Sequence, residues 1–194
     1  NKSLIERDKS HGLRDLDVDL MEIANGKDYQ NYLIMKRDWF SLLNQGEKIF
    51  GSANSDTHGY QQLVAIPQNF VRASLPFNEN QFIESIRSGA FFGTTGPFLG
   101  VTATAEGHGQ VEPGGTLSTR RFTLNIQASA AGWVPVDSLS VYSNGALYHQ
   151  QPISAGDTIS LPIEMDRDGY VIVELLGKAD EVYSAIAPGF TPFA

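Results

Sequence analysis

The sequence predicts two structural regions, an α/β region over residues 1–96 and an all-β region over residues 97–194. In the first region, a helix-length stretch with apolar residues at three- and four-residue steps lies between two short apolar runs, which is the pattern of a β-α-β unit. In the second region, this helical periodicity gives way to short alternating runs separated by glycine-containing turns, which is the pattern of an antiparallel sheet.

The β-α-β unit is predicted from three consecutive segments. Val18–Ala24 and Lys48–Ala53 are short apolar runs typical of strands in a parallel sheet that is covered on both faces. Between them, Asp28–Asn44 predicts a helix with one apolar stripe formed by Tyr32, Met35, Trp39, Leu42 and Leu43. A helix that connects two such strands implies parallel pairing and a right-handed crossover.

An acid and a histidine stand two positions apart directly after the second strand, at Asp56 and His58. Residues two positions apart share one side of an extended backbone. Carboxylate and imidazole both bind divalent metal ions, and the chemistry of parallel sheets gathers where strands end. The two residues are therefore candidate metal ligands. The tripeptide alone leaves another interpretation open, in which Asp56 caps a turn and His58 is an ordinary surface or core histidine.

Further polar residues near this motif are candidates for supporting or substrate contacts. Glu22 lies within the apolar first strand, so its carboxylate either faces a polar barrel mouth or pairs with a cation, because an unpaired buried carboxylate is costly. Asn69 and Arg72 follow the motif closely enough to line a substrate cleft, and the planar guanidinium of Arg72 suits a phosphate. The alternative for Arg72 is a surface salt bridge or a stem lying on apolar surface.

Several runs give the chain a resemblance to a known family. Leu20–Gly26, Asp38–Gly46 and Gly51–His58 resemble the last part of the barrel of PHP (polymerase and histidinol phosphatase) metal-dependent hydrolases. The run Gly89–Phe98, with its Thr-Thr-Gly-Pro-Phe ending, resembles the branch of large hydrolases that carry a β domain after the barrel. The resemblance covers the first half of the chain well and the second half loosely.

The resemblance implies a metal-dependent hydrolase. The final barrel motif of that family is Ser-Asp-x-His, which matches Ser55, Asp56, Thr57 and His58. It implies that Asp56 and His58 bind two different ions of a cluster of zinc, manganese or iron, with Asn54 and Ser55 orienting them. The implied substrate is a small molecule with a phosphoester or, in some relatives, an amide or carbamate-like bond.

The sequence also departs from that family. Its other ligands come from an early His-x-His motif, further histidines and a bridging acid, whereas this chain has four histidines and no His-x-His. His11, which we expect in a solvated loop, His108 and His149 stand in no comparable motif. The chain also opens without an initiator methionine. We therefore expect the C-terminal piece of a longer protein, inactive by itself, whose metal site needs the remainder of the parent barrel. In one subcase, the missing strands also lack the histidine ligands, and the parent protein is an inactive remnant of such a hydrolase.

The second region predicts six strands, at Phe98–Ala105, Phe122–Ala128, Leu139–Ser143, Thr158–Ile163, Tyr170–Leu176 and Val182–Ile186. Six or seven strands at this spacing predict an antiparallel β-sandwich of the immunoglobulin or fibronectin type. The boundary before it falls at Gly93–Phe98, where two glycines and a proline occur together. A short helix, capped by Asn78 and ending at Arg87, precedes the boundary, and by the resemblance it closes the barrel.

The composition excludes several classes of function. The chain has no cysteine, which rules out disulfides, thiolate zinc sites and thiol nucleophiles and leaves the compartment open. Residues 97–194 carry four basic and ten acidic side chains, which argues against a nucleic-acid-binding surface there. No apolar run approaches the ~20 residues needed to span a bilayer, so we expect no membrane span.

A second class of function stays open. The chain is then a non-catalytic binding or structural module, in which the sandwich recognises a glycan or a protein partner and the α/β region supports it. Trp133 is the residue most relevant to this alternative, as either a core anchor or an exposed stacking platform for a sugar. An exposed aromatic row on the sandwich would favour binding, and a His-x-His motif before Asn1 would favour catalysis.

Overall fold

The computed structural model describes residues 8–10, 12, 16 and 18–194; the predicted loop residue His11 lies outside them. The α/β region contains β1 (Leu20–Asn25), α1 (Tyr29–Asn44), β2 (Phe50–Asn54), β3 (Gln68–Val71), α2 (Glu79–Arg87) and β4 (Phe91–Thr94). The β region contains β5 (Phe98–Ala105), β6 (Gly109–Val111), β7 (Arg121–Ser129), β8 (Ser138–Ser143), β9 (Ala146–Pro152), β10 (Thr158–Glu164), β11 (Val171–Leu176) and α3 (Glu181–Ile186). The fold is mixed and mostly β, and its sheets form no closed barrel among the described residues.

The predicted β-α-β unit is present. β1 and β2 pair in parallel, with Leu20 opposite Phe50 and Asn25 opposite Asn54. The helix α1 begins at the N-cap Asp28, whose carboxylate accepts a hydrogen bond from the Asn31 backbone N–H at 2.9 Å. Such a cap satisfies one of the four backbone donors that a helix leaves unpaired at its start. The predicted helix Asp28–Asn44 is confirmed almost to the residue.

A hairpin of β3 and β4 and the helix α2 complete the first region. The strands pair antiparallel with Gln68 opposite Thr94. Asn78 caps α2 by accepting from the Gln81 N–H at 3.1 Å, and the helix ends at Arg87, as predicted.

The second region consists of two antiparallel sheets that enclose one core. Their strand orders are β10-β7-β5-β6 and β11-β8-β9. The two sheets and the segments beside them contribute to one cluster of buried apolar side chains: Leu99, Leu124, Ile126, Ala128, Val136, Leu139, Val141, Ile153, Ile163 and Leu175. Side chains alternate between the two faces of β7, and this alternation turns Leu124, Ile126 and Ala128 toward the core. The predicted β-rich second region is confirmed.

The predicted strand at Val182–Ile186 is wrong, because this segment is the helix α3. Asp180 caps it by accepting from the Tyr183 N–H at 2.7 Å. The fully buried residues are Tyr183 and Ala187, which are four positions apart, so the buried face has a helical and not an alternating period. Residues 192–194 take the place beside β11 instead, since Leu175 and Ala194 exchange backbone hydrogen bonds of 2.7 and 3.0 Å.

The two regions meet where α1 packs on the outer face of the sheet β11-β8-β9. Phe40 contacts the ring of Tyr142, with centroids 5.4 Å apart, and its carbonyl accepts from the Tyr170 hydroxyl at 3.1 Å. Beside them, Lys36 from α1 reaches Glu174 on β11. The first region is therefore held to the sandwich by aromatic packing and a buried ion pair.

Candidate functional site

The candidate metal ligands lie just beyond the carboxyl end of β2. The Nε2 atom of His58 lies 2.6 Å from Oδ1 of Asp56, so the two predicted ligands converge. Their side chains are 74% and 49% exposed, respectively, so an ion and a substrate can reach both from solvent. We call Asp56 and His58 the strand-end pair.

A turn, and not the predicted extended backbone, brings the pair together. Asp56 has a φ of 48°, in the left-handed region, where an aspartate costs less than most residues. Gln62 fixes the following peptides, because its Oε1 accepts from the backbone N–H groups of His58 at 2.5 Å and Gly59 at 3.0 Å. The period-two argument therefore predicted the right juxtaposition through the wrong local geometry.

An amide and carboxylate network lies behind the pair at the ends of β1 and β2. Asn54 Nδ2 donates to Glu22 Oε1 at 2.8 Å, and Asn25 Nδ2 donates to Glu22 Oε2 at 3.1 Å. Glu22 is exposed at the polar end of the strand and is not a buried carboxylate paired with a cation. The structure thus groups Glu22 with Asn54, which precedes Asp56 by two residues, and pairs Glu22 in register with Ser52, four residues before Asp56.

Asn69 connects the neighbouring hairpin to the same network. Its side-chain amide forms the two hydrogen bonds that the backbone of a paired strand residue would form. Oδ1 accepts from the Ala53 N–H at 3.0 Å, and Nδ2 donates to the Ala53 carbonyl at 2.8 Å. The same Nδ2 lies 3.2 Å from Asn54 Oδ1. Asn69 therefore fixes the end of β2, from which the loop with the strand-end pair departs.

Ser55 and Arg72 make their contacts outside this network. The Thr57 hydroxyl donates to the Leu63 carbonyl at 2.8 Å, and its oxygen lies 3.1 Å from the Ser55 hydroxyl, so Ser55 supports the loop from within. Arg72 forms an exposed ion pair with Glu112, in the segment after β6. The surface salt bridge given above as the alternative for Arg72 is therefore the arrangement found.

The residues present fit part of a metal site. Carboxylate oxygen and imidazole nitrogen suit zinc, manganese and iron. No cluster of three or more histidine, aspartate or glutamate side chains that could hold an ion occurs in residues 8–10, 12, 16 and 18–194. A four-coordinate site with three protein ligands needs at least one more donor than the strand-end pair offers.

Sequence reasoning missed a second acid–base group, at the contact between the two regions. Glu174 is 2% exposed and accepts from Tyr32 Oη at 2.5 Å, Tyr142 Oη at 3.0 Å and Lys36 Nζ at 2.8 Å. We call Tyr32, Lys36, Tyr142 and Glu174 the junction cluster. Its signal was visible, because Glu174 interrupts an apolar strand just as Glu22 does.

The environment of the junction cluster raises the pKa of both of its tyrosines. Burial, and then the negative charge of Glu174, raise the pKa of Tyr142 to about 12 and that of Tyr32 well above its ordinary value. Both hydroxyls therefore stay protonated and donate to the carboxylate. The cluster satisfies its own polar atoms, which is the behaviour of a structural group.

The remaining candidates are ordinary side chains. His149 Nε2 lies 2.8 Å from Gln151 Oε1 on β9, and His108 is exposed in the turn between β5 and β6. Trp133 stacks on Tyr183 with ring centroids 5.9 Å apart and packs against a buried cluster, as a core anchor does.

Protein-family models, curated proteins and solved structures give no match to this chain. Among the described residues, none of the helices has the length and apolar character needed to cross a membrane.

Proposed function

We propose that this chain supplies the last Asp-x-His ligand pair of a PHP-type metal-dependent hydrolase that acts on a phosphoester or a related bond of a small molecule. The observation that supports the proposal is the strand-end pair, a carboxylate oxygen and an imidazole nitrogen 2.6 Å apart and open to solvent, just after a parallel strand. Catalytic groups of parallel sheets are found at this edge. The remainder of the parent barrel then provides the other ligands.

A divalent ion, whether zinc, manganese or iron, would activate a water molecule there and offset negative charge on the substrate oxygens. The chain's own residues bind and orient. Asp56 offers an anionic oxygen, and His58 offers Nε2 when its ring is neutral with the proton on Nδ1. Protons and metal ions compete for that nitrogen, so metal affinity falls as the pH is lowered.

The polar network supports this role by holding the ends of two strands. Glu22 links β1 to β2 through Asn54, and Asn69 links β2 to β3 through the backbone of Ala53. Residues that position metal ligands from behind are needed to fix their orientation. Because the network holds the base of the loop, it limits the positions that the strand-end pair can adopt.

Exposed apolar side chains support the remainder of the parent barrel as the partner. From the strand-end pair to the first residue of β5 the chain leaves these large side chains exposed: Tyr60, Val64, Phe70, Leu75, Phe77, Ile83 and Phe98. Soluble monomers rarely expose so many apolar side chains close together in the chain, and such groups mark contact surfaces. In this proposal the second region is the immunoglobulin- or fibronectin-type sandwich that follows the barrel.

Nuclear magnetic resonance titration of the 194-residue chain with Zn²⁺ tests the proposal. We expect saturating shifts of the His58 ring signals, which the substitution Asp56→Ala removes or weakens at least tenfold. His108→Ala is the matched control, because His108 is an exposed histidine outside the site, and it should leave the titration of His58 unchanged. A His58 signal that ignores Zn²⁺, or responds equally in Asp56→Ala, contradicts the proposal.

Hydrolysis of a generic phosphodiester with added Mn²⁺ or Zn²⁺ tests the expectation that the site is incomplete. We expect little or no turnover by this chain, because two ligands leave a bound ion weakly held. Turnover equal to that of a protein that carries the whole barrel would overturn this expectation.

A further inference from the structure

A cavity of about 1040 Å³ lies between the two regions of the molecule. Residues of α1, of the strands β2, β4, β5, β7 and β11, and of the segment 112–120 form its walls. Ligand pockets commonly measure ~300–1,000 Å³ and often occur between domains. This cavity lies at the upper end of that range and does not include the strand-end pair in its lining.

The walls of the cavity are mainly apolar. Side chains that a sandwich normally covers with its own strands face into it: Leu99, Val101, Ala103, Phe122, Leu124, Val171 and Val173. Trp39, Leu43, Phe91 and Phe92 face them from the first region. The sandwich is open on this side, because among the described residues β11 pairs with β8 on one side and with the short segment 192–194 on the other. An empty apolar space forfeits packing contacts, so an apolar occupant of suitable shape gains free energy by filling it.

Two exposed cations of the lining remain available for a ligand. Lys36 is paired with Glu174, Arg120 with Asp168, and Glu112 with Arg72. Glu47 also has an interaction partner. Within the part of the chain that the structure describes, Lys48 and Arg167 form no ion pair, and both line the cavity.

Lys48 and Arg167 both lie in segments next to the C-terminal half of α1. Lys48 follows the end of α1 by four residues, and its Nζ lies 5.6 Å from the ring centre of Phe50. The charge of Arg167 acts on Tyr170, whose hydroxyl donates to the carbonyl of Phe40 in α1. A negative group beside these two side chains would meet two positive charges.

We propose that the cavity binds a long-chain fatty acid, with the hydrocarbon chain against the apolar side chains of the lining and the carboxylate at Lys48 and Arg167. The apolar walls fit the chain, and the two cations fit an anionic head. This site is separate from the strand-end pair and does not depend on the hydrolase proposal.

Calorimetric titration of the 194-residue chain with hexadecanoate, below its micelle concentration, tests the proposal. We expect saturable binding of one molecule. The double variant Lys48→Glu/Arg167→Glu should bind about tenfold or more weakly, the effect of losing one or two charge-assisted contacts. Its binding of hexadecan-1-ol, which has the same chain and no charge, should be unchanged. Lys178→Glu, an exposed lysine outside the lining, is the matched control and should bind hexadecanoate normally.

A second variant tests the chain-binding part of the cavity. Ala103→Phe places a ring in the space, so it should weaken both hexadecanoate and hexadecan-1-ol, with an unchanged circular dichroism spectrum as the check on folding. Absence of saturable hexadecanoate binding by the wild-type chain overturns the proposal. So does equal binding of hexadecanoate by the wild type and the double variant, whose changes lie at exposed positions and spare the core.

Discussion

The junction cluster and the strand-end pair each place a carboxylate within hydrogen-bonding distance of a basic nitrogen, and the two groups differ mainly in burial. In the junction cluster, the side chains of Lys36 and Glu174 are 13% and 3% exposed, whereas those of Asp56 and His58 are 49% and 74% exposed. The nitrogen–oxygen distances are 2.8 and 2.6 Å. Distance alone therefore does not separate a structural pair from a candidate site.

The partners of each carboxylate explain the difference. Two tyrosine hydroxyls and an ammonium group surround Glu174, so both carboxylate oxygens are already hydrogen-bonded and the pair is costly to break. Asp56 and His58 project from a loop that Gln62 and Thr57 hold through their own hydrogen bonds. In our proposal, the pair exchanges its mutual contact for a metal ion without loss of the fold.

The largest expected effect is that of Glu174→Ala. Removal of the carboxylate leaves the buried Lys36 ammonium unpaired, so we expect the free energy of unfolding to fall by about 3–5 kcal/mol in urea denaturation. Glu164→Ala, which breaks the exposed pair with Arg121, is the matched control and should cost less than about 1 kcal/mol. Equal losses in the two variants would show that the junction cluster is not a structural pair.

A smaller effect is expected from Tyr142→Phe, which removes one donor to Glu174. The loss of this bond should cost about 1–2 kcal/mol near neutral pH. The pKa of Tyr142 is about 12 in the folded protein, and that of an unfolded tyrosine is about 10, so the unfolded state loses its proton first. The contribution of this group to stability should therefore be constant below about pH 10 and be lost between about pH 10 and 12.

Denaturation curves over that alkaline range check the second part of the prediction. The variant should show a shallower fall in stability than the wild type, because one raised tyrosine pKa is gone. Ultraviolet difference spectra of the folded variant should lack one ionisation near pH 12. An unaltered alkaline titration would remove Tyr142 from the cluster.

The smallest effect on stability is expected at the strand-end pair. Asp56→Gly relieves the left-handed conformation, so the free energy of unfolding should stay the same or rise by up to about 1 kcal/mol. The same substitution should abolish the zinc response of His58, because half of the ligand pair is lost. A loss of stability comparable to that of Glu174→Ala would mean that Asp56 is a structural residue.

The helices were predictable wherever a side chain marks their first turn. Asp28 and Asn78 cap α1 and α2, and both predicted helix ends agree with the structure within a residue. The same signal at Asp180 went unused, because Val182, Ser184 and Ile186 alternate and favoured a strand there. Two of these, Val182 and Ile186, are exposed apolar residues, so their pattern did not report burial.

Features that depend on long-range contacts could not be predicted. β9 has mostly exposed and polar side chains, and its pairing with β8 supplies the order that the local sequence does not indicate. The burial of Glu174 depends on α1, more than 130 residues earlier in the chain. Asp56 and His58 were named from their spacing, whereas the left-handed turn that joins them could not be deduced from residue types alone.

The junction cluster also determines how the molecule rotates in solution. It ties α1 to β11, while the backbone of the C-terminal residues pairs with the same strand, so the two regions have no hinge at their contact. Nitrogen-15 relaxation should therefore give one rotational correlation time for amides of α1 and of β7. The loop with Asp56 and His58 then keeps a constant orientation relative to the sandwich as the molecule tumbles.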